Sequence, residues 1–342
     1  MWALLTEGFS KTEKLSFLKK LSFFGIKGEK RLTKEISKDI GRGIIINFFI
    51  IALSLYIPVF GFFLFFLIPV STLFFRLKLG RKNGAVIPVF SVIAAILLLG
   101  KINFDMLFLS EFLLLGFAMG EYLEKDISLE RTVIYTCSTV VLGGVSVLLL
   151  YSSVNGIEIV LLISEYVEKN LKIAVQLYKE VGIPEDTIIF ISDSLEKIKY
   201  VLVRTIPGIY ISFILFVSWI TLLLAKPMLN AKGLFYPDFG ELNLWKPPEN
   251  LVWGVIGCGI MLLILPNKGI KIFALNCMLI LMTVYFFSGI AIVSFYFEKK
   301  QVPRMFRFFL YTLIAIQQML LLMVIGLGFF DIWLNFRRVD KN

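Results

Sequence analysis

The chain contains no histidine. That single absence removes imidazole as a general base, a proton shuttle and a metal ligand, and with it any HExxH zinc motif. Cysteine is almost as scarce. Cys137, Cys258 and Cys277 are dispersed through separate apolar runs, and an odd, scattered set builds neither a disulfide framework nor a CxxC site. No metal and no cofactor is expected from this inventory. Charge is thin as well: Asp, Glu, Lys and Arg make up 18 % of the 342 residues, against roughly 25 % in soluble domains. There is no P-loop, no Rossmann glycine pattern and no GxSxG elbow. Without a nucleophile–base pair, an enzyme is not expected.

What the chain has instead is long apolar runs. Hydrophobic residues reach 58 %, with 34 Phe among them. The segment Ile44 to Phe75 is 32 residues without one Asp, Glu, Lys or Arg. About 20 apolar residues suffice for a helix to cross the hydrocarbon of a bilayer. Runs of the same kind recur to the C-terminus, so the expected fold is all-α: a polytopic bundle of eight or nine transmembrane helices with the lipid bilayer as its first partner. The net charge of +10 fits the excess of Lys and Arg in cytoplasmic loops of membrane proteins. Lys and Arg do not cluster with stacking aromatics on a soluble domain, so nucleic acid is not an expected partner.

Residues 1–43 carry ten Lys and Arg against five acids, with Leu15, Phe17, Leu18, Leu21, Phe23 and Phe24 between them. This composition predicts a basic cytoplasmic or interfacial segment lying against an anionic leaflet. Its recurring charges rule out the clean apolar core of a cleavable signal. Basic clusters at 38–42 and 76–82 flank the 44–75 run, which predicts a hairpin of two short spans turning near Pro58 to Gly61, with one long kinked helix as the competitor. Further spans are expected over 84–99, 104–120, 132–151, 206–224, 251–265, 270–297 and 308–330, with a tight turn at Gly100 to Asn103. Nine crossings from a cytoplasmic start place Arg337, Arg338 and Lys341 outside, which conflicts with the charge rule.

Residues 153–203 differ in kind, with eight acids, five Lys and no Arg. Val160, Ile163, Val167, Leu171, Ala174, Tyr178 and Val181 recur at spacings of three and four, the mark of one helix face. Gly182 ends that helix and Pro184-Glu185-Asp186 opens another. Two amphipathic helices on the outer side are expected, either capping the spans or forming a lid.

A charged group inside a span is a functional candidate by default. Glu111 sits mid-span in Met106 to Gly120. It could bind a cationic group or relay a proton, or simply hydrogen-bond to Gln317 or Gln318. Asn47, Gln317 and Gln318 join Glu111 as candidate substrate-binding residues, and Asn276 is a further in-span polar group; helix–helix hydrogen bonding is the plain alternative for all of them. Gly116 with Gly120, and Gly143-Gly144, predict close helix packing. Asp331, beside Trp333 and Arg337, predicts an interfacial salt bridge.

Several pieces in order carry a family resemblance: Ile57-Pro58, Ile68-Pro69-Val70 ahead of Arg76 to Gly80, Gly116 to Gly120, Arg204-Thr-Ile-Pro207, Trp245-Lys-Pro247, Ser288 to Val293, and Gly326 to Arg337. Together they resemble the YybS-like family of bacterial integral membrane proteins. That family is distantly similar to the S components of energy-coupling-factor vitamin transporters. The resemblance implies a membrane domain over 44–338, with an S-component-like part at 44–228 and additional spans at 229–338. It implies a bacterial cytoplasmic membrane, a cytoplasmic N-terminus, a small-molecule ligand in an outward pocket and an ATPase module as partner. The first span reads Ile44 to Ser54 without the Ala-xxx-Ala docking pattern of S components. Two function classes follow: a transporter-like component binding a small solute, or a non-transporting scaffold that docks a membrane partner through residues 1–43 and the 226–250 loop.

Overall fold

The computed structural model describes residues 11–57, 60–100 and 104–337. Residues 1–10 of the basic segment, Pro58 of the first turn, Lys101 to Asn103 of the second, and Arg338 and Lys341 lie outside the described residues. Everything described is helix or connecting chain: α1 (Lys11–Tyr56), α2 (Phe60–Phe65), α3 (Leu67–Leu99), α4 (Phe104–Leu123), α5 (Leu129–Asn155), α6 (Ile159–Glu180), α7 (Glu185–Ala231), α8 (Leu251–Ile264), α9 (Lys268–Lys299), α10 (Arg304–Ile316) and α11 (Gln318–Leu334), with one 3-10 turn at Leu242–Leu244. Six of these are long and apolar enough to cross a membrane, or seven if α10 and α11 count as one bent span. In lipid every backbone amide must be satisfied inside the protein, and helices do this within themselves.

The chain forms two compact units: residues 1–125 with 221–236, and residues 126–220 with 237–342. The division falls within α7, after Ile220.

In the first unit the basic segment from Lys11 onward runs without a break into the first span as α1. The 44–75 stretch is a hairpin, not one kinked helix. Four contacts between α1 and the returning chain prove the reversal: Ser54 with Gly61, Asn47 with Thr72, Gly43 with Phe75, and Asp39 with Lys78. As one number falls the other rises, the signature of antiparallel neighbours. A second reversal hides inside α3. Gly80 takes φ 76°, ψ 173°, a region essentially reserved for glycine. A Cβ placed on Gly84 would come within 2.8 Å of the Arg76 Cα, although eight residues of straight helix span about 12 Å. The chain therefore folds back at Gly80, and α3 is two antiparallel arms joined in the basic cluster. α4 packs on α3 through Gly116, whose missing side chain leaves room for the Pro69 carbonyl. That is the close approach expected of a small-residue face in lipid.

In the second unit two expected spans come out differently. The 251–265 span is α8, only 14 residues long, about 21 Å of helix at 1.5 Å per residue. It packs on α9, with Val252, Val255 and Tyr285 at the centre of the contact. The expected 308–330 span is broken: α10 and α11 meet at an angle of 101°. Gln317 is the break, at φ −90°, ψ 108°; its N–H closes α10 on the Leu313 carbonyl and α11 starts afresh at Gln318. α9 and α11 touch where Gly289 meets the Val324 carbonyl and Gly328 meets the Tyr285 carbonyl. They touch again where the Tyr296 hydroxyl donates to the Phe336 carbonyl at 2.8 Å. Gly328 also faces the Gly289 N–H, and from Gly289 with Gly328 to Tyr296 with Phe336 both residue numbers rise, so α9 and α11 cross closely and run in the same direction.

The amphipathic helices of 153–203 exist as α6 and the first third of α7, tied by Lys199 donating to Glu168 at 3.1 Å. Their acid–base ties are surface ones. In that stretch only Val167 and Ile188 are buried, so the pair is an arm with a minimal core.

Candidate binding cavity in the second unit

The last turn of α11 builds the centre of this site. Asn335 takes a left-handed conformation, φ 44°, ψ 57°, and ends the helix. The chain then doubles back over its own C-terminal turn. Asp331 holds it there: Oδ1 accepts from the Phe336 N–H at 2.9 Å, and Oδ2 accepts from Arg337 Nη2 at 2.7 Å. Asp331 and Arg337 are 2 % and 1 % exposed. The salt bridge expected between them is present, but it is buried rather than interfacial. Arg337 Nη1 also donates to the carbonyls of Asn243 and Trp245, both at 2.8 Å. An arginine can serve these acceptors together because its donors form a rigid fork.

The 237–250 chain is thereby fixed against α9 and α11. Trp245 donates its indole N–H to Glu130 at the start of α5, at 2.9 Å. Its ring lies 4.7 Å from that of Trp219, which stacks on Phe287 at 4.8 Å. Asn243 donates to Glu298. Lys246 Nζ lies 2.8 Å from Asn335 Oδ1 and 3.4 Å from Asp331 Oδ2. Pro247 and Pro248 donate no amide hydrogen, so this irregular stretch carries fewer groups that need a partner.

Between these parts lies a cavity of about 280 Å³ lined by Glu130, Lys246, Glu249, Ser288 and Asp331, with Pro247, Pro248, Gly328 and Ile332 as its apolar wall. Ser288 is fully buried, and its hydroxyl has no hydrogen-bond partner among the described residues. It stands 11 residues before Lys299 on α9, about 16 Å along the helix axis. Three carboxylates and one ammonium line the space. Arg337 neutralises Asp331 from behind, and Lys246 offsets one more, which leaves one carboxylate in excess. An uncompensated charge of this kind attracts a counter-charge. No group of three metal-ligating side chains occurs among the described residues.

The sequence-selected residues fall elsewhere. Asn47 and Glu111 lie in the first unit. Asn47 is buried and donates to Thr72 Oγ1 at 3.3 Å across the α1–α3 hairpin. Glu111, 3 % exposed, sits in the apolar body of α4. Gln317 and Gln318 belong to the second unit, where both are exposed at the α10–α11 break. Lys246 and Ser288 enter the sequence reading only within the resemblance pieces Trp245-Lys-Pro247 and Ser288 to Val293, and Glu249 not at all; none was a candidate site residue. Lys246 and Glu249 read as loop charges, and a serine in an apolar helix is unremarkable. The one available signal was Trp-Lys-Pro-Pro-Glu, a charged, proline-stiffened stretch between two spans.

Asn276 is a second in-span polar group with a defined role. Its carboxamide accepts from the Gly208 N–H at 2.6 Å and donates to the Arg204 carbonyl at 3.0 Å. Those are the donor and acceptor that a helical i to i+4 bond in α7 would join, next to Pro207. One side chain thus serves both ends of a helix bond at a proline.

Several long apolar helices, glycine-mediated packing and charges gathered at helix ends define a polytopic integral membrane protein. The chain belongs to the DUF2232 family of predicted membrane proteins, whose model matches residues 45–332. No curated protein and no solved structure matches the chain, so the expected likeness to vitamin-transporter S components finds no counterpart there.

Proposed function

We propose that this protein is a transporter-like membrane component, not an enzyme, that binds a small polar solute in the second-unit cavity. The observation that carries this reading is the cavity itself: about 280 Å³, lined by Lys246 and three carboxylates, with the buried Ser288 hydroxyl of α9 unpartnered among the described residues. Polar groups inside a membrane protein are retained where they face a cavity or each other. The cavity opens among chain segments that a proposed topology puts on the cytoplasmic side. In that topology α1, both arms of α3, α4, α5, α7, α8 and α9 cross. α10–α11 enters and returns on the side where α9 ends, because α11 runs in the direction of α9. Within the first unit this gathers Lys38, Arg42 and the 76–82 cluster at one end, and within the second it gathers Lys299, Lys300, Arg304, Arg307 and Arg337 at one end, as the charge rule asks. The YybS-like assignment and a bacterial cytoplasmic membrane fit this picture.

The test is a thermal-shift screen of the purified protein in nanodiscs against small polar solutes, with Glu249→Gln and Glu111→Ala run beside it. A shift lost in Glu249→Gln and kept in Glu111→Ala supports the cavity. A shift lost only in Glu111→Ala moves binding to the first unit. No shift with any solute overturns the reading.

The scaffold alternative keeps one specific support. The α6–α7 arm leaves Val181 and Phe190 exposed near its tip. The 237–250 loop, by contrast, is engaged within its own unit. Crosslinking with and without residues 159–200 tests the arm; an unchanged set of crosslinked partners removes it as a docking element.

A further inference from the structure

We infer that the second-unit cavity takes a small organic cation with a primary ammonium head and a short apolar body. This assignment rests on the solute-binding reading of the same cavity and gives it a ligand class. The protein already shows how an ammonium sits in this environment. Lys246 Nζ is held between Asn335 Oδ1 at 2.8 Å and Asp331 Oδ2 at 3.4 Å. Those acceptors are taken, as is Glu130 Oε1, which accepts from Trp245 at 2.9 Å. Two lining groups remain uncommitted among the described residues: the Glu249 carboxylate, which makes no ion pair there, and the buried Ser288 hydroxyl, which has no partner.

A primary ammonium suits this pair. It carries three donors and no acceptor, so it can give one hydrogen to the carboxylate, one to the serine oxygen and one to water. A quaternary ammonium has no hydrogen to give. A carboxylate or phosphate would face Glu130, Glu249 and Asp331 with only Lys246 in its favour. The apolar wall of Pro247, Pro248, Gly328 and Ile332 asks for a few methylene groups behind the head. Gly328 also keeps the wall thin, because a side chain there would run into the Tyr285 carbonyl.

The experiment is calorimetric titration of the full chain in nanodiscs with n-butylammonium, tetramethylammonium and n-butyrate. Butylammonium is expected to bind and tetramethylammonium to bind at least tenfold more weakly. Glu249→Gln should weaken butylammonium on the order of tenfold or more, and Ser288→Ala by about fivefold, one neutral hydrogen bond. Lys246→Gln should tighten it, because the competing like charge is gone while Arg337 still holds Asp331. The Glu249 carboxylate makes no ion pair and the Ser288 hydroxyl no hydrogen bond among the described residues, so these variants should unfold like the parent protein, and chemical unfolding checks that. Butyrate binding that is lost in Lys246→Gln and untouched by Glu249→Gln overturns the ammonium assignment and leaves the solute-binding reading standing. Equal binding of butylammonium and tetramethylammonium also overturns it. Failure of all three probes, together with a silent wider solute screen, overturns both.

Discussion

Each unit buries one arginine against carboxylates, and the two arginines are spent differently. In the first unit Arg76, 1 % exposed, uses its whole fork: Nε donates to Glu121 at 2.7 Å, and Nη1 and Nη2 to Glu124 at 3.0 and 2.7 Å. Its stem is wedged between Gly84 and Gly120, where an added Cβ would come within 2.8 Å of the Arg76 Cα and 2.7 Å of its Cγ. No room is left, and each of the three guanidinium nitrogens has a carboxylate partner. In the second unit Arg337 binds one carboxylate and two backbone carbonyls and leaves Nε without a partner among the described residues. A second cation, Lys246, stands 3.4 Å from the same carboxylate, and a cavity lies alongside. The first centre is saturated and holds helices together. The second holds a loop in place and keeps capacity in reserve. Burial of an ion pair is weak evidence of stability in itself; what distinguishes a fastening from a site is whether every donor and acceptor has been used.

The comparison breaks most visibly at Arg76. Arg76→Ala removes the buried guanidinium that pairs Glu121 and Glu124, leaving the exposed Arg81 beside Glu121 at 3.5 Å, and should cost about 3 kcal/mol, read by chemical unfolding in mild detergent. Adding Glu121→Gln and Glu124→Gln should recover much of the loss. The loss should not depend on solutes. A smaller effect is expected from Gly289→Ala, because the new methyl would overlap the Val324 carbonyl and force α9 and α11 apart. Overpacking of this sort costs about 2 kcal/mol, and it should also shift the cavity wall at Gly328, so solute binding should weaken in parallel with stability. Arg337→Ala should cost less than Arg76→Ala, about 1.5 kcal/mol, because Lys246 can close on Asp331. If the two arginine variants lose equal stability, the contrast between the centres fails.

The sequence made the membrane, the first hairpin and the Gly116–Gly120 packing face legible, because each is written in a single local pattern: an uncharged run, flanking Lys and Arg, a spacing of four. Asp331 and Arg337 were legible as a pair because they are six residues apart. The cavity was not legible, for a physical reason. Its groups come from Glu130 on α5, Lys246 and Glu249 on the loop, Ser288 on α9 and Asp331 on α11. None of these is a charge in the middle of a span, which is the feature that singled out Glu111. An irregular stretch carried alongside a helix brings loop charges next to Ser288 and Asp331, and periodicity cannot reveal that. The break in the 308–330 run went unread for the same kind of reason. Gln317 and Gln318 read as tolerated polar residues inside an apolar run, yet Gln317 adopts an extended conformation and the helix turns by 101°. Asn276 was selected only as a generic polar group; its bond to both Gly208 and Arg204 depends on Pro207 in another helix. Asn276→Leu should therefore cost about 1 kcal/mol or somewhat more by leaving a donor and an acceptor in α7 unserved, an intermediate effect that hydrogen exchange at Gly208 would localise.

The smallest expected effect sharpens the comparison in the exposed α6–α7 arm. There the ion pairs are exposed, and Glu168 accepts from Lys172 at 2.7 Å and from Lys199 at 3.1 Å. These hydrogen bonds, with the nearby ammonium charges, hold the Glu168 carboxyl below the usual carboxylate range. A carboxylate whose pKa is depressed in the folded state adds stability above its unfolded value, near 4.3, and that contribution fades as pH falls through the lower folded value. Acidification below about pH 4 should thus loosen the contact between α6 and α7 while leaving the saturated Arg76 centre intact. Exposed pairs contribute little in high dielectric and are screened by salt, so the change should be slight and should shrink further at high ionic strength. Limited proteolysis between Gly182 and Glu185, followed across pH and salt, would read it. Cleavage that stays constant from neutral pH to pH 3, or that rises equally in Glu168→Gln, would show that the arm is held by Val167 and Ile188 alone and that its ion pair does no fastening at all.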